Sequence, residues 1–565
     1  MRHTPAGRRL RRYDLAVGAR RLEDLSAPLQ GLPDRLARRA RSVSARAGQI
    51  WAAWSERQSR RHVPEPEKVP FVPGVTRLAP LLARPAILGF VASAVIVAGA
   101  SLPTSPFTLK SVPGAWWFGV PAPTVLPSLS ASGSAIFDVA AVYAGMVLML
   151  RVWYDIVRVC SRHPGIPVRR LVPTFVAWLL PLLVVAPLFS RDLYSYAAQG
   201  WMVAHHLNPY TYGPSVMGQG PFVGLTDQLW RNVGSPYGPV FLTFAGWIVQ
   251  ASRQDVLASV EGLRLLALLG TVAFVAAVPA IARSFGRDGA TAFSLVALNP
   301  LVLLHLVGGG HNDALMLGFL LPGYLLARRG HPVAGILVCA VGAAVKVPAM
   351  IGPVYIGWEW AGQGRGVRER VWPVAKAMAL TLATMAGLSA LAGLGWGWIA
   401  GLTNPDTVRS WFSPATAVGL SLGKLVALVG LGDHTHALLT LARGTGFALA
   451  GVIGVVLLLR SEQIGPLRAL GWSLIAVVAL SPVVQPWYMV WGIVFLAPVA
   501  ERGVRRLIVG YSAVACFLGL PGARVLVREL ELASPLRLGA ASLVLVAFIA
   551  LVLAPRLRRG TLRSA

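Results

Sequence analysis

The sequence predicts an all-α, polytopic integral membrane protein, and three observations carry that reading. Of 565 residues, 55% are apolar and only 13% charged, with a mean hydropathy of +0.61. A soluble chain carries about a quarter charged residues, and disorder requires low hydrophobicity. Apolar runs recur along the chain at lengths suited to a hydrocarbon layer roughly 30 Å thick. The formal charge of +29, from 52 basic against 23 acidic residues, is gathered in blocks between those runs. On a soluble chain such a surplus points to nucleic acid. In loops that alternate with neutral ones it follows the positive-inside rule. It is therefore read as topology and as affinity for anionic membrane lipid, with no nucleic-acid partner.

The first 70 residues hold sixteen Lys/Arg against seven Asp/Glu, without the apolar core of a signal peptide. Residues 1–75 are expected to form a basic cytoplasmic tail, 76–555 the transmembrane domain, and 556–565 a basic cytoplasmic C-terminus. About fourteen spans then follow, beginning with 86–102, 135–157 and 171–189. The stretch 151–170, with five Arg and one Asp, marks the inner side. Segment 190–254 falls outside: it is polar and nearly neutral, with an amphipathic stretch at 193–206 and a short apolar run at 239–249. Counting that run as a span places the basic Arg328–Arg329 outside, so it is read as an interfacial helix. Spans continue at 262–282, 290–307, 313–327, 332–345, 350–360 and 373–394. A second outer loop, 395–435, precedes spans at 437–459, 467–480, 487–499, 507–520 and 536–553. Both termini are then cytoplasmic. Cys160, Cys339 and Cys516 lack CxxC spacing, so neither a disulfide framework nor a metal site follows.

Within this topology the acids are informative, because an ionisable group beside the hydrocarbon is costly and needs a reason. Asp138, Asp192 and Asp313 lie closest to apolar spans, and Asp138 has only apolar sequence neighbours. Asp192 follows a span directly, with Tyr194, Tyr196 and Trp201 after it; a carboxylate there suits the deprotonation of a sugar hydroxyl. The alternative is that Ser190 or Asp192 caps the helix that begins there. Gly308-Gly309-Gly310-His311-Asn312-Asp313 places a His, an amide and an acid on a glycine-rich turn. Asn312 or Asp313 has the same capping alternative, but a cap gives no reason for His311. Lys346 is one of five lysines; it either snorkels to the interface or contacts an anionic head group. Arg409 suits phosphate too, or a salt bridge with Asp406. Trp411, Gln485, Trp487 and Tyr488 add aromatic and amide groups from two outer loops. His434 and His436 are too closely spaced to make a strong metal signal. All of these fall on the predicted outer face, which favours an outward-facing site for an anionic, lipid-borne, polar substrate.

The string Ser190-Arg191-Asp192-Leu193-Tyr194-Ser195-Tyr196, with Asn208-Pro209-Tyr210 and Pro236-Tyr237-Gly238-Pro239, resembles the first outer loop of GT-C glycosyltransferases. His311-Asn312-Asp313, Val345-Lys346-Val347-Pro348, Arg409-Ser410-Trp411, Gly432-Asp433-His434-Thr435 and Pro482-Val483-Val484-Gln485-Pro486-Trp487-Tyr488 look like the actinobacterial polyprenol-phosphate-mannose-dependent α-1,6-mannosyltransferases of the MptA/MptB type. The likeness covers about residues 75–555. It implies a polyprenyl-phosphate-mannose donor and a lipid-anchored mannan acceptor, the α-1,6 core of lipomannan and lipoarabinomannan, at the outer face of the plasma membrane. It implies inversion at the anomeric carbon, with Asp192 as base and with Lys346 and Arg409 on the donor phosphate. Tyr194, Tyr196, His311, Asn312, Asp313, Trp411, Gln485, Trp487 and Tyr488 would contact donor or acceptor. No metal or other cofactor is expected, because a lipid monophosphate has less charge to neutralise than a diphosphate. The family pattern places its base after the first span and Asp192 follows the third, so either two spans precede the usual arrangement or Asp138 takes the role. The competing functions are another lipid-linked-sugar transferase, acting on protein or carrying arabinose, and a flippase. Against a flippase, no inverted repeat or midplane acid cluster is evident.

Overall fold

The computed structural model describes residues 79–101, 105–107, 135–401, 411–518 and 520, all within the unit Lys68–Ala565. The two basic end segments, Arg409 and the expected span 536–553 lie outside the described residues. Those described are helical, joined by turns and loops, with no strand among them. The polytopic, all-α expectation is met.

Among the described residues five helices are long and apolar enough to cross a membrane: α1 (Ala79–Ser101), α2 (Ala135–Arg162), α6 (Val256–Ser284), α11 (Val367–Ala392) and α13 (Thr435–Leu459). Between α2 and α6 come α3 (Val172–Leu179), α4 (Asp192–Ala204) and α5 (Pro239–Ala251). Between α6 and α11 come α7 (Gly289–Val296), α8 (Asp313–Arg328), α9 (Pro332–Ala343) and α10 (Ile351–Trp360). After α11 come α12 (Pro414–Leu428), α14 (Pro466–Leu480), α15 (Val490–Leu496) and α16 (Arg502–Ala515), with two short helices at Gly397–Gly401 and Ser461–Ile464.

Several expected spans are broken rather than continuous, and proline accounts for the breaks. Run 171–189 is α3 followed by a 3₁₀ turn, Leu180–Leu183, that contains Pro181. Run 290–307 is α7, an interruption at 297–299 just before Pro300, and then a π-helix, Val302–Gly308. Run 487–499 is a 3₁₀ turn opened by Pro486, then α15, then a second 3₁₀ turn around Pro498. Proline removes a backbone donor and clashes with the preceding turn, and other groups must satisfy what is released. At Asn299-Pro300 the Asn299 Oδ1 accepts from Leu301 N–H (3.0 Å), while its Nδ2 donates to Ser512 of α16 (2.9 Å). The run 239–249 is helical, as α5, and packs along α4.

Close backbone approach positions the centre. A Cβ on Gly270 of α6 would lie 2.5 Å from the Ala314 carbonyl of α8, and one on Gly318 would lie 2.6 Å from the Gly270 Cα. Small residues let helices touch in this way inside a membrane. The contact fixes the start of α8, where Asp313 sits.

Candidate active site

The chain enters the site through a strained residue. Phe189 has φ 67° and is buried; its N–H donates to the Phe107 carbonyl (3.1 Å), and Leu188 N–H donates to that of Gly308 (3.1 Å). Ser190 Oγ then accepts the Asp192 N–H at 3.1 Å. Arg191 is the N-cap of α4 and makes no side-chain cap bond. The capping alternative is therefore divided: Ser190 serves the helix start, and the Asp192 carboxylate is left for other partners. Asp192 Oδ2 lies 3.1 Å from His311 Nδ1 and accepts from the Tyr196 hydroxyl at 3.4 Å. Tyr196, one turn along, meets Tyr237 and Phe241 edge-on with centroids at 5.1 and 4.9 Å. Tyr194 is directed elsewhere, to the surroundings of Arg264 and Glu261 on α6.

His311 reaches Asp192 because of the residue before it. Gly310 has φ 65°, and a Cβ there would stand 2.4 Å from Leu193 Cδ1, so the turn lies flush against α4. The His311 ring is fully buried and stacks on Trp487 (4.0 Å, 14°). Beside it the π-helix presents His305, also stacked on Trp487 (5.0 Å, 19°). Asn312 and Asp313 open α8 without a side-chain cap bond, so the capping alternative does not hold for either. The Asn312 amide is buried with no hydrogen-bond partner among the described residues. Asp313 Oδ1 accepts from Lys346 Nζ (2.9 Å) and Trp491 Nε1 (2.6 Å).

Lys346 is held by a short backbone pairing. Gly238 N–H donates to the Val345 carbonyl (2.9 Å) and Val240 N–H to that of Ala344 (3.0 Å). A Cβ on Gly238 would lie 2.1 Å from the Ala344 oxygen, so the Pro236-Tyr237-Gly238-Pro239 motif works through a close approach that only glycine permits. The Lys346 ammonium sits over Tyr488 (4.4 Å), Trp491 (5.2 Å) and Tyr237 (5.8 Å), an aromatic cage that attracts a cation.

Asp192, Tyr196, His311, Asp313, Lys346, Trp487 and Tyr488 thus come together from four stretches of chain. Gln485 is half-buried at the start of the turn that carries Trp487 and Tyr488. Trp411 is brought instead to Lys424, 5.1 Å from its ring, with 56% of its surface exposed. Asp138 is buried in α2; the carboxylate beside His311 is that of Asp192. His434 and His436 are exposed, and among the described residues no three His, Cys, Asp or Glu side chains form a metal-binding group. Sequence reasoning did not single out His305 or Trp491. Trp491 carried a usable signal, its i, i+4 spacing from Trp487; His305 in its apolar run carried none.

Exposure and partners separate the two acids. Burial alone would push the Asp192 carboxyl up, but the His311 ring, the Ser190 hydroxyl and the Lys346 charge hold it below the ordinary carboxylate value. About 26% of its side chain stays exposed, against 1% for Asp313. Asp192 is an ionised acceptor open to a ligand, and Asp313 is occupied by Lys346 and Trp491. Such a site can take a proton from a hydroxyl on one side and offer a cation on the other.

Comparison with known proteins identifies the family. A family model described as "Alpha-(1->6)-mannopyranosyltransferase, N-terminal domain" matches residues 86–362, and one described as "MptB C-terminal domain" matches 415–553. A probable alpha-(1->6)-mannopyranosyltransferase of Mycolicibacterium smegmatis is 33% identical, covering 66% of this chain and 73% of its own length. Alpha-(1->6)-mannopyranosyltransferase B of Corynebacterium glutamicum is 35% identical over 64% of each chain. An alpha-(1->6)-mannopyranosyltransferase of Mycobacterium tuberculosis is 33% identical, over 63% of this chain and 70% of its own. No solved structure matches. The chain therefore belongs to the alpha-(1->6)-mannopyranosyltransferase family, and with it to the membrane hexosyltransferases.

Proposed function

We propose that the chain is an inverting glycosyltransferase that moves mannose from polyprenyl-phosphate-mannose to the α-1,6-mannan core of lipomannan and lipoarabinomannan, at the outer face of the plasma membrane. The observation that carries the reading is a part-exposed Asp192 carboxylate 3.1 Å from His311 beside a caged lysine. Asp192 accepts the proton of the acceptor 6-hydroxyl while that oxygen bonds to the anomeric carbon. The bond from that carbon to the phosphate oxygen breaks, and its electron pair leaves with the polyprenyl phosphate. Attack from the face opposite the leaving group turns a β donor into an α product.

Lys346 supports the departing charge, which is where fixed cations contribute most. Its ammonium has three donors, so a phosphate can share it with Asp313, and Arg409 is the second proposed phosphate contact. Tyr196, His311, Asn312, Gln485, Trp487 and Tyr488 are proposed to hold the sugars, with Tyr194 and Trp411 at greater remove. A monophosphate leaving group with a lysine beside it needs no divalent ion, so we propose that none is required. The outer-face placement, with both termini cytoplasmic, is supported by the near-neutral segment 190–254 against the basic blocks.

The test is transfer from mannosyl-phosphopolyprenol to a short α-1,6-mannoside by the full chain in membranes, with and without chelator. Asp192→Asn is expected to lower the rate by about 10²–10⁴, the usual contribution of a general base. Unchanged transfer by that variant would remove Asp192 from the role, and loss with chelator would remove the metal-free reading.

A further inference from the structure

We propose that the loop between α4 and α5 builds a second saccharide subsite, which holds the distal residues of the mannan acceptor while its end lies at Asp192. The proposal rests on the acceptor named above. The loop forms an open-sided cavity of about 470 Å³ lined by Ser215, Gly218, Gln219, Gly220, Gly224 and Arg231 among others, within the range of small-ligand sites.

Its chemistry is that of a neutral, hydroxyl-rich ligand. Arg231 is the charged side chain in the lining, but its Nε donates to the Thr226 carbonyl (3.0 Å) and its Nη2 to that of Gly224 (2.9 Å). The Arg231 carbonyl accepts from Ser215 N–H at 2.8 Å. The guanidinium thereby shapes the wall instead of presenting the two-pronged fork that clamps an anion. What remains is an apolar part, Pro221, Val223 and Leu225, with a hydroxyl from Ser215, an amide from Gln219 and the backbone of three glycines as its polar groups. These groups donate and accept singly, as sugar hydroxyls require. No carboxylate lines the cavity, which leaves a cationic ligand without a partner.

Its position is that of an acceptor subsite. Gly220 lies against the Trp201 ring so closely that a Cβ would stand 1.8 Å from it. The Trp201 indole is itself fixed by donating to Gln254 Oε1 at 3.0 Å. Trp201 and Asp192 are nine residues apart on one helix, α4, so about 13.5 Å of rigid axis separates them at 1.5 Å per residue. A dimannoside seated at Asp192 does not need the cavity, and an oligomannoside of several residues reaches it. The cavity makes the enzyme prefer longer acceptors.

Gly224 gives a clean test, because it lines the cavity and a Cβ there meets nothing within 4 Å, so a side chain added there starts without a clash. With the full chain in membranes, Gly224→Phe is expected to leave transfer to a dimannoside unchanged. It should raise the KM for an octamannoside about tenfold, the loss of one or two hydrogen-bonding sugar contacts. Gln219→Ala should move the octamannoside KM in the same direction by a smaller factor. Equal loss on both acceptors, or no change on either, overturns the subsite. If the wild type transfers to neither mannoside, the acceptor reading fails on its own. Octamannoside titrated into the detergent-purified chain then tests the cavity directly: weaker binding by Gly224→Phe supports it, and equal binding overturns it.

Discussion

Gly310→Ala is the sharpest perturbation of the site's scaffold, because two costs fall on one methyl group. A φ of 65° puts an L residue in the left-handed region, at roughly 1–2 kcal/mol. The new Cβ would stand 2.4 Å from Leu193 Cδ1 and 2.7 Å from its Cγ, an overpacking of about 1–3 kcal/mol. The sum is about 2–5 kcal/mol of lost stability. Leu193 adjoins Asp192 and Gly310 adjoins His311, so relief of the clash must widen the 3.1 Å gap between carboxylate and imidazole. A displacement near 1 Å costs on the order of 10²-fold in rate. Reversible unfolding in mixed micelles reads the stability, and mannosyl transfer reads the rate. A cycle with Leu193→Ala separates the terms: that change alone costs about 2–5 kcal/mol. The double variant should be better than additive by about 1–3 kcal/mol, since only the clash is relieved. Wild-type stability and rate in Gly310→Ala, or strict additivity in the cycle, would refute the claim that this glycine locks the histidine turn onto α4.

Other changes read the chemistry. His311→Phe keeps the stack on Trp487 but removes the ring nitrogen that helps hold the Asp192 carboxyl low against its burial. A base works when ionised, so the acid limb of kcat/KM should lie below the ordinary carboxylate range in the wild type and move to higher pH in the variant. A limb that stays in place would detach His311 from that task. His305→Phe tests the buried imidazole whose two nitrogens have no partner among the described residues. Removing unpaired buried polar atoms should hold or raise the melting temperature, while transfer falls if the ring serves the substrate or its water. Full activity would reduce His305 to packing.

What was legible in the sequence was chiefly the set of chemical groups. Asp192, His311, Asp313 and Lys346 stand out because charge beside hydrocarbon demands a reason, and the fold joins all four. Pairing was not legible: Lys346 and Asp313 are thirty-three residues apart, and their contact follows from the backbone pairing at Gly238 and Val240, for which no local pattern exists. The broken spans were half legible. Pro181, Pro300 and Pro486 were in plain view, yet hydropathy alone reads through them because the flanking residues remain apolar. Trp411 could not be placed from sequence: it lies beside Lys424, 5.1 Å from its ring, a neighbour thirteen residues away that no local pattern indicates.

The two carboxylates of the site make the assignment of roles testable, because the same substitution at each should fail differently. Asp313 is almost fully buried and shares Oδ1 between Lys346 and Trp491. Asp313→Asn keeps the shape but leaves a largely buried ammonium without its counter-charge. Breaking such a pair from one side costs about 3–5 kcal/mol, lessened here by the aromatic cage around Lys346. The variant should therefore lose stability and bind donor less well while keeping the acid limb of its pH profile. Asp192→Asn should do the opposite: its side chain is one-quarter open, stability changes little, and the acid limb disappears with the rate. Replacing both members of the buried pair, as Asp313→Asn with Lys346→Met, should recover much of the stability, since a buried pair is often no better than apolar groups of like volume. It should recover none of the activity. If Asp313→Asn abolished the acid limb while Asp192→Asn only raised the donor KM, base and phosphate anchor would have to exchange places.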